Sequence, residues 1–569
     1  MAEPAFHGVL TAWCTPMPPW KDIMPSNLSR RRFLAATGVA TGGVVLGRAD
    51  HALAGSRGSG GSAELNIVFV LDGLRPDSVN PADTPNIHRL RQEGVFFAQA
   101  HAEVPTVTRV NGPAWGTGMH ASRHGLVGNA MYIPEMDPNA AISTGNPYTL
   151  LELDEKTGAI VLTETLGQRL QRQGKKLVAI GSAAAGGGPF LVNPTAQHGT
   201  GVSITYIRPE GPLTFPEEGG QVMRDRFGAP PGGSSAEAID YCTAVVNEYI
   251  LTDLGPDVLF FWMSEPDHSQ HPNAAGSPEA IANIRNADRN LGTVLDRLDK
   301  LGLADSTNIF VVSDHGFTLN DFGVNVEDEL IAAGLKAGPD SSDVVVAVTG
   351  SALVYVSERD PQRIQEVIEF LQQQEWVGAL YTAAHRPEDG NYRSAGDNAP
   401  AKGWVDGTLS LELIHQANPV RGGDMLVTFP WSSRPNPFGV RGTSHRAVRG
   451  PTRPISGSAS GHGGVSPYDI TNTMIAWGPD VKSGVVSQVP AGNVDVAPTI
   501  LSLATGEEPA LDGRVLKEAL KDGPDPASIP SSTRVVTAPP GKGRAGSAAQ
   551  ISLVGDSRYI DKSWPLHGH

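Results

Sequence analysis

The chain has 569 residues, 40% of them hydrophobic and 18% charged, which reads as globular and excludes wholesale disorder; the length suits one large domain or two to three ordinary ones. A formal net charge of −16, with no basic run outside the N-terminal region, excludes a nucleic-acid duplex as partner, because phosphate contacts take clustered Lys and Arg. A small phosphate-ester substrate stays allowed, since bound cations supply positive charge locally.

Residues 1–54 carry an address. In "SRRRFLAATGVATGGVVLGRADHALAG", Arg30-Arg31-Arg32 precede a short Gly/Ala-rich apolar run and then Ala52-Leu53-Ala54. That order resembles a twin-arginine export signal, with Met24 an alternative start. The apolar run falls short of the roughly 20 residues a membrane span needs, and no later run is longer. The expectation is export through the twin-arginine machinery to the periplasm, the cell surface or the medium, with no membrane span in the mature chain. Cys14 precedes the signal and Cys242 stands alone, so an internal disulfide is excluded. Any transition-metal site must then be built from His and carboxylates.

Residues 55–63, with "GSRGSGGS", read as a flexible linker into a domain spanning 64–522. "LNIVFVLDGL" is an apolar strand ending at Asp72-Gly73. Segments 86–95 and 163–173 read as helices, and "KLVAIGS" as a buried strand. Residues 183–240, rich in Gly and Pro, read as an irregular excursion, part of an insertion over 131–240. "AEAIDYCTAVVNEYILTDL" has helical period, and "PDVLFFWMSEPDHSQH" is a strand running into Asp267. Over 277–301, Ile281, Ile284, Ala287, Leu291, Val294, Leu295 and Leu298 recur on one helical face. "TNIFVVSDHG" is another strand, "SALVYVS" a strand before a helix over 360–373, and 386–450 a second loop-rich insertion. "MIAWGP" reads as a strand and "VAPTILSLA" as a helix start. The extension 523–569 is Pro/Ser/Gly-rich, with "AQISLVGDSRYI" as a small hairpin. Strands alternating with helices predict an α/β fold with a mostly parallel sheet.

Three apolar strands end in acids: Asp72, Asp267, and Asp314 beside His315. Ligands of open α/β sheets bind beyond the carboxyl ends of the strands. Three acids delivered to one edge repel one another unless a cation sits among them. His271 follows Asp267 by four residues, a spacing that lets both reach one ion; His268 would point elsewhere. His462, in "SASGHGG", is flanked by glycines that let the backbone approach closely; His445, in "GTSHRAV", competes with it.

Together, "VLDGLRPDS", "VPTVTRVNGPAWGTGMHASRHGLVGN", "SEPDHSQH", "VVSDHGF" and "SGHGG" resemble, in order and rough spacing, the alkaline phosphatase superfamily, most closely its type I phosphodiesterase/nucleotide pyrophosphatase branch. The resemblance implies a three-layer α/β/α sandwich with loop-rich cap insertions and two divalent ions, usually zinc. Asp267, His271 and His462 would hold one ion; Asp72, Asp314 and His315 the other. It places the nucleophile at Thr108, with Thr106 the nearby alternative. It also places the asparagine that hydrogen-bonds the phosphoryl oxygen at Asn129, with capping of the following turn as the alternative role. A threonine hydroxyl needs a metal to act as nucleophile at neutral pH, and a second ion can stabilise the leaving oxygen. The expected function is hydrolysis of phosphodiester or pyrophosphate bonds through a phosphoryl-threonine.

The chain departs from the pattern in two places. Arg109 follows Thr108 where the branch carries an apolar residue, and it either reaches the phosphoryl group or makes a salt bridge. Ala183, Ala184, Ala185 and Gly186 stand where monoester-selective relatives place cations, which favours diesters. A phosphomonoesterase or phosphonate hydrolase of the superfamily, and a non-catalytic metal-binding export protein, are the alternatives.

Overall fold

In a computed structural model, residues 62–182, 188–207, 211–232, 234–388, 400–540 and 544–566 are described. The export signal, nearly all of the linker and Ala183–Gly186 lie outside them.

Nine strands form the central sheet: β1 Leu65–Leu71, β2 Val95–Phe97, β3 Leu177–Gly181, β4 Val202–Ile207, β5 Gly211–Phe215, β6 Val258–Met263, β7 Thr307–Val312, β8 Met474–Trp477 and β9 Val485–Ser487, in the spatial order β9-β2-β8-β7-β1-β6-β3-β4-β5. β1 lies between β7 and β6 and is parallel to both, with Val68 opposite Phe310 on one side and Phe260 on the other. β8 is antiparallel to both its neighbours, and β5 is antiparallel to β4.

Period-two alternation with both faces buried explains why β1 is apolar throughout. Ile67, Phe69 and Leu71 face one core, and Val68 and Val70 face another. The first core is completed by helices α1 Pro85–Glu93, α4 Ser235–Val245 and α6 Pro278–Leu301; the second by α2 Thr108–Thr117, α3 Leu166–Arg172 and α7 Val496–Thr505. Helices on both faces of one sheet make the three-layer α/β/α arrangement. The 24-residue α6 starts where the Ser277 hydroxyl accepts the Ala280 N–H behind Pro278 and stops at Gly302 in the left-handed region, as Ser caps and Gly terminators do.

Some expectations do not hold. The Gly/Pro-rich excursion over 183–240 carries β4, β5 and a helix over Glu218–Phe227, so it extends the central sheet. The helix after Ser234 changes at Val246 to wider turns, with i to i+5 hydrogen bonding, as far as Leu254. The loop-rich stretch 386–450 contributes Leu409–Ser410, Met425–Val427, Trp431–Pro435 and Arg441–Ala447 to two further five-stranded sheets. The C-terminal hairpin is a three-stranded antiparallel sheet, Ser531–Ala538, Gly546–Val554 and Ser557–Leu566. No helix among the described residues is long and apolar enough to cross a membrane.

Candidate metal centre

Asp72 and Asp314 leave the sheet at the carboxyl ends of the neighbouring parallel strands β1 and β7. Asp267, beyond β6, opens a short helix, α5 Asp267–Asn273, which sets His271 one turn on. Two glycines permit the approach. Gly73 has φ +71°, donates its N–H to Asp314 Oδ1 (3.0 Å), and would bring a Cβ within 3.3 Å of the Asp267 backbone. At Gly316 a Cβ would meet the Tyr468 carbonyl oxygen at 2.0 Å, because the Gly316 and Phe317 amides donate to the Asp469 and Tyr468 carbonyls. The acid–imidazole–glycine sequence is thus a strand end pressed against a second chain segment.

Asp72 and Asp314 are each held through one carboxylate oxygen. Trp262 Nε1 donates to Asp72 Oδ2 (3.0 Å), and the Gly73 and His315 amides donate to Asp314 Oδ1. Asp72 Oδ1, Asp267 Oδ1 and Asp314 Oδ2 are buried and accept no hydrogen bond. A buried oxygen left so costs about 1–3 kcal/mol or more when charged. All three point at imidazole nitrogens: His315 Nε2 lies 3.2 Å from Asp314 Oδ2, 3.5 Å from Asp72 Oδ1 and 4.0 Å from Asp267 Oδ1. His271 Nε2 and His462 Nε2 each lie 3.3 Å from Asp267 Oδ1.

The imidazoles are oriented in the same manner. Nδ1 of His271 faces the Ser460 carbonyl, that of His315 the Gly316 carbonyl and that of His462 the Thr106 carbonyl, each at 2.9 Å. Nδ1–H is therefore the donor, and the Nε2 lone pair faces the carboxylates, the arrangement found behind histidine ligands of metals. Phe317 packs beside all three rings.

The ligand atoms of Asp267, His315 and His462 form one group within 4.8 Å, and those of Asp72, Asp314 and His315 another. His315 Nε2 lies close to both groups, but with Nδ1 donating to the Gly316 carbonyl it has one lone pair and can ligate a single ion. The pairing implied by the family resemblance puts His271 in the first set; its Nε2 meets Asp267 but lies outside that tighter group. Orphaned carboxylate oxygens facing oriented imidazoles suit a borderline divalent cation such as zinc.

Electrostatics follow from the crowding. Burial, then Asp314 and Asp267, holds the Asp72 carboxyl well above its usual range. Burial also acts to raise Asp267 and Asp314, but His271 and His462 pull the first well down and His315 lowers the second. Burial and repulsion from His315 push His462 down to about 4.

Thr108 opens α2 and is buried, with Oγ1 3.4 Å from His315 Nε2. Thr106 is spoken for: its hydroxyl donates to the Gly464 carbonyl and accepts from the Gly463 amide, both at 3.0 Å. Asn129 Oδ1 accepts the Arg109 backbone N–H (3.2 Å), which leaves its amide nitrogen as the donor available to a ligand. Arg109 is buried; Nη2 donates to the Gly145 carbonyl (3.4 Å), and its guanidinium feels all three site carboxylates. His268 is exposed, with Nδ1 2.8 Å from the Ser235 hydroxyl, and His445 faces Asp321 instead. Sequence reasoning missed Trp262 and Phe317; Trp262 sits in an apolar run and Phe317 just past the Asp314-His315-Gly316 strand end, and nothing in the spacing marks either ring as a support for ligands.

The chain matches the sequence profile of the type I phosphodiesterase / nucleotide pyrophosphatase family over residues 66–397, a span that ends before His462. It is 23% identical over 256 residues to a venom phosphodiesterase of Naja atra, covering 44% of this chain and 26% of that protein. Similarity to ectonucleotide pyrophosphatase/phosphodiesterase family member 7 of Mus musculus is 28% over 259 residues, 44% of this chain and 49% of that one. This chain thus spans about a quarter to a half of the length of these curated relatives. Murine ectonucleotide pyrophosphatase/phosphodiesterase 5 superposes with a TM-score of 0.54 at 17% identity, over 80% of this chain and all of that one, and so shares the fold. An inactive variant of that protein in complex with AMP superposes equally. With more than half of its length matched, the chain belongs to the type I phosphodiesterase / nucleotide pyrophosphatase family.

Proposed function

We propose that this protein hydrolyses phosphodiester or pyrophosphate bonds with Thr108 as nucleophile. The observation that carries the reading is the Thr108 hydroxyl 3.4 Å from His315 Nε2, beside three carboxylate oxygens that are buried and accept no hydrogen bond. Two divalent cations, zinc by the donor set, would be held by Asp267, His462 and His271 and by Asp72, Asp314 and His315. Bound there, they would supply Lewis-acid activation of the hydroxyl and of the leaving-group oxygen.

The chain's own residues supply the rest. Thr108 stands at the first position of α2, so the helix amino terminus favours the phosphoryl anion at that point. Asn129, with Oδ1 occupied by the Arg109 amide, offers its nitrogen to a non-bridging oxygen. Thr108 Oγ1 forms the new P–O bond as the ester oxygen leaves in line with its electron pair and takes up a proton. Water then attacks the threonine-bound phosphoryl group, which still carries the substituent that did not leave, giving a phosphate monoester and restoring the hydroxyl. Export by the twin-arginine route belongs to the same reading.

Arg109 favours a second reading. A buried guanidinium facing the carboxylates can pair with the extra charge of a monoester dianion, while the Ala183–Gly186 stretch lacks cations. Rates on nitrophenyl monoesters, diesters and phosphonates separate these classes. The core claim is tested by Thr108→Ala and Thr108→Ser with acid-quenched mass spectrometry during turnover. A phosphoryl adduct at Thr108, carrying the retained ester group when a diester is the substrate, is expected in the wild type, with activity lost in the alanine and partly kept in the serine variant. Undiminished hydrolysis by Thr108→Ala would remove the claim and leave a metal-binding protein without this chemistry.

A further inference from the structure

A chain of three fully buried asparagine amides lies behind the centre: Asn111, Asn493 and Asn472. Asn493 opens a tight turn over Asn493–Asp495, far outside the segment that matches the family profile. Its Nδ2 faces three oxygens, Asn111 Oδ1 at 2.8 Å, the Asp314 carbonyl at 3.0 Å and the Ser313 carbonyl at 3.2 Å. Its Oδ1 accepts from Asn472 Nδ2 (3.0 Å), which also donates to the Ser313 carbonyl (2.5 Å). With only acceptors around the nitrogen, the amide orientation is unambiguous.

Asn111 lies one turn after Thr108 on α2. Its Oδ1 accepts the Glu103 amide (2.8 Å), and its Nδ2 donates to the Val107 carbonyl (3.0 Å) and the Glu103 carbonyl (3.4 Å). Asn111 therefore fixes the 103–107 segment that delivers Thr108, and Asn493 fixes both Asn111 and the carbonyls at the Asp314 strand end. The turn bearing Asn493 is itself braced: Asp495 Oδ2 accepts from the Gly492 amide (2.8 Å) and the Tyr559 hydroxyl (2.7 Å), and Asp495 Oδ1 from the Arg514 amide (2.8 Å).

We infer that Asn493 is a positioning residue that sets the distance between the Thr108 hydroxyl and the Asp72/Asp314/His315 ligand set, by hydrogen-bonding the threonine-bearing helix and the Asp314 backbone with one amide group. The single Nδ2 atom of Asn493 reaches both elements. Removing it leaves the Asp314 carbonyl without this donor and takes one donor each from Asn111 Oδ1 and the Ser313 carbonyl, which keep the Glu103 amide and Asn472 Nδ2, so the direct tie between the two halves of the site is lost. Supporting hydrogen bonds behind metal ligands are typically worth about 10–100-fold in affinity or rate. This inference rests on the phosphoryl-transfer reading proposed above, and the test separates the two.

The experiment compares the full chain with Asn493→Ala, Asn493→Asp, Asn493→Ser and Tyr559→Phe. Asn493→Asp keeps the shape but turns an oxygen towards three oxygens; Asn493→Ser keeps one donor; Tyr559→Phe loosens the same turn without touching the amide chain. Melting temperature, kcat and KM on a nitrophenyl diester, and zinc titration of the chelator-stripped protein are measured for each. Expected is a kcat loss of about 10–100-fold in Asn493→Ala and Asn493→Asp with KM within threefold, an intermediate loss in Asn493→Ser, and weakening of one zinc-binding phase but not the other. Tyr559→Phe is expected to lower the melting temperature with kcat unchanged. Folded Asn493 variants with kcat within threefold of wild type and both zinc phases unmoved would overturn the inference, as would losses no larger than those of Tyr559→Phe. Zinc titration needs no catalysis, so a wild type inert on every ester defeats the functional reading while the selective zinc phase still decides the role of Asn493.

Discussion

The imidazoles of His315 and His462 lie face to face, ring centres 3.5 Å apart and planes 10° from parallel. Two charged rings so close would repel by about 4 kcal/mol at an effective dielectric near 20. Stacking of this kind is stable when at least one ring is neutral and its lone pair is engaged, which is what cation ligation as proposed above would provide.

His462→Ala is accordingly expected to bind one zinc ion fewer per chain, by elemental analysis after dialysis, and to lose roughly 100-fold or more in diesterase rate. Stripping the wild type with a chelator should lower its melting temperature, and zinc should restore it, because a ligand of the folded state stabilises it. Full zinc content in His462→Ala would place the second ion elsewhere.

Gly316→Ala tests the strand end itself. Its Cβ would sit 2.0 Å from the Tyr468 carbonyl oxygen and 2.9 Å from that of Thr471, both backbone atoms. A loss of about 3 kcal/mol in denaturant unfolding is expected, at the upper end for overpacking, since backbone cannot swing aside as a side chain does. Unaltered stability would mean that the 467–471 segment yields.

Arg109→Met removes charge at similar bulk. A hydrogen bond to a charged group is worth about 1.5–3 kcal/mol, so kcat/KM for a monoester should fall about 10–100-fold. Diester hydrolysis should change by only a few fold. Equal losses on both substrates would assign Arg109 to the fold of the 143–145 loop rather than to the substrate.

A second histidine stack makes a pH prediction away from the centre. His120 Nδ1 meets Glu103 Oε2 at 2.6 Å, and its ring lies 3.6 Å from that of His415. Burial acts to lower His120, but Glu103 outweighs it and holds it above 6.5; burial, then the His120 charge, holds His415 well below 6.5. The raised His120 contributes stability that is complete below pH 6.5 and is lost as pH climbs through its folded value. The depressed His415 does the reverse, because below pH 6.5 the unfolded chain takes a proton that the folded one refuses. His415 has φ +55°, which Asn tolerates well. His415→Asn should therefore gain melting temperature relative to wild type by more at about pH 5.5 than at about pH 7.5. The same difference at both pH values would refute it.

Much of the scaffold was legible because it is local. β1, β6 and β7 announce themselves as unbroken apolar runs, since a strand buried on both faces has no polar alternation to obscure it. Their terminal acids follow directly. β4 and β5 were not legible: "GVSITYIRPEGPLTF" mixes Ser, Thr, Gly and Pro, and only pairing with β3 at the sheet edge makes strands of it. The 523–569 extension read as a hairpin for the same reason, its first strand being polar and exposed.

Within the site, residue type and order in the sequence identified the acids and imidazoles, and the four-residue interval joined His271 to Asp267. Which ring lies between the two ligand groups was beyond it. His315 lies between them because β7 sits beside β1 and because His462, brought from a distant loop by the Thr106 carbonyl, stacks on its face.

By itself the sequence determined the α/β alternation, the strands that end in acids, and the chemistry available to them, because apolar runs and short-range stereochemistry act between neighbours in the chain. Only the tertiary structure decided that one imidazole lies within reach of both groups of candidate ligands, that Thr106 is consumed by hydrogen bonds while Thr108 faces the centre, and that a buried asparagine from the far end of the domain stands behind them. Those relations depend on distances between segments remote in sequence, which close packing sets and no local pattern records.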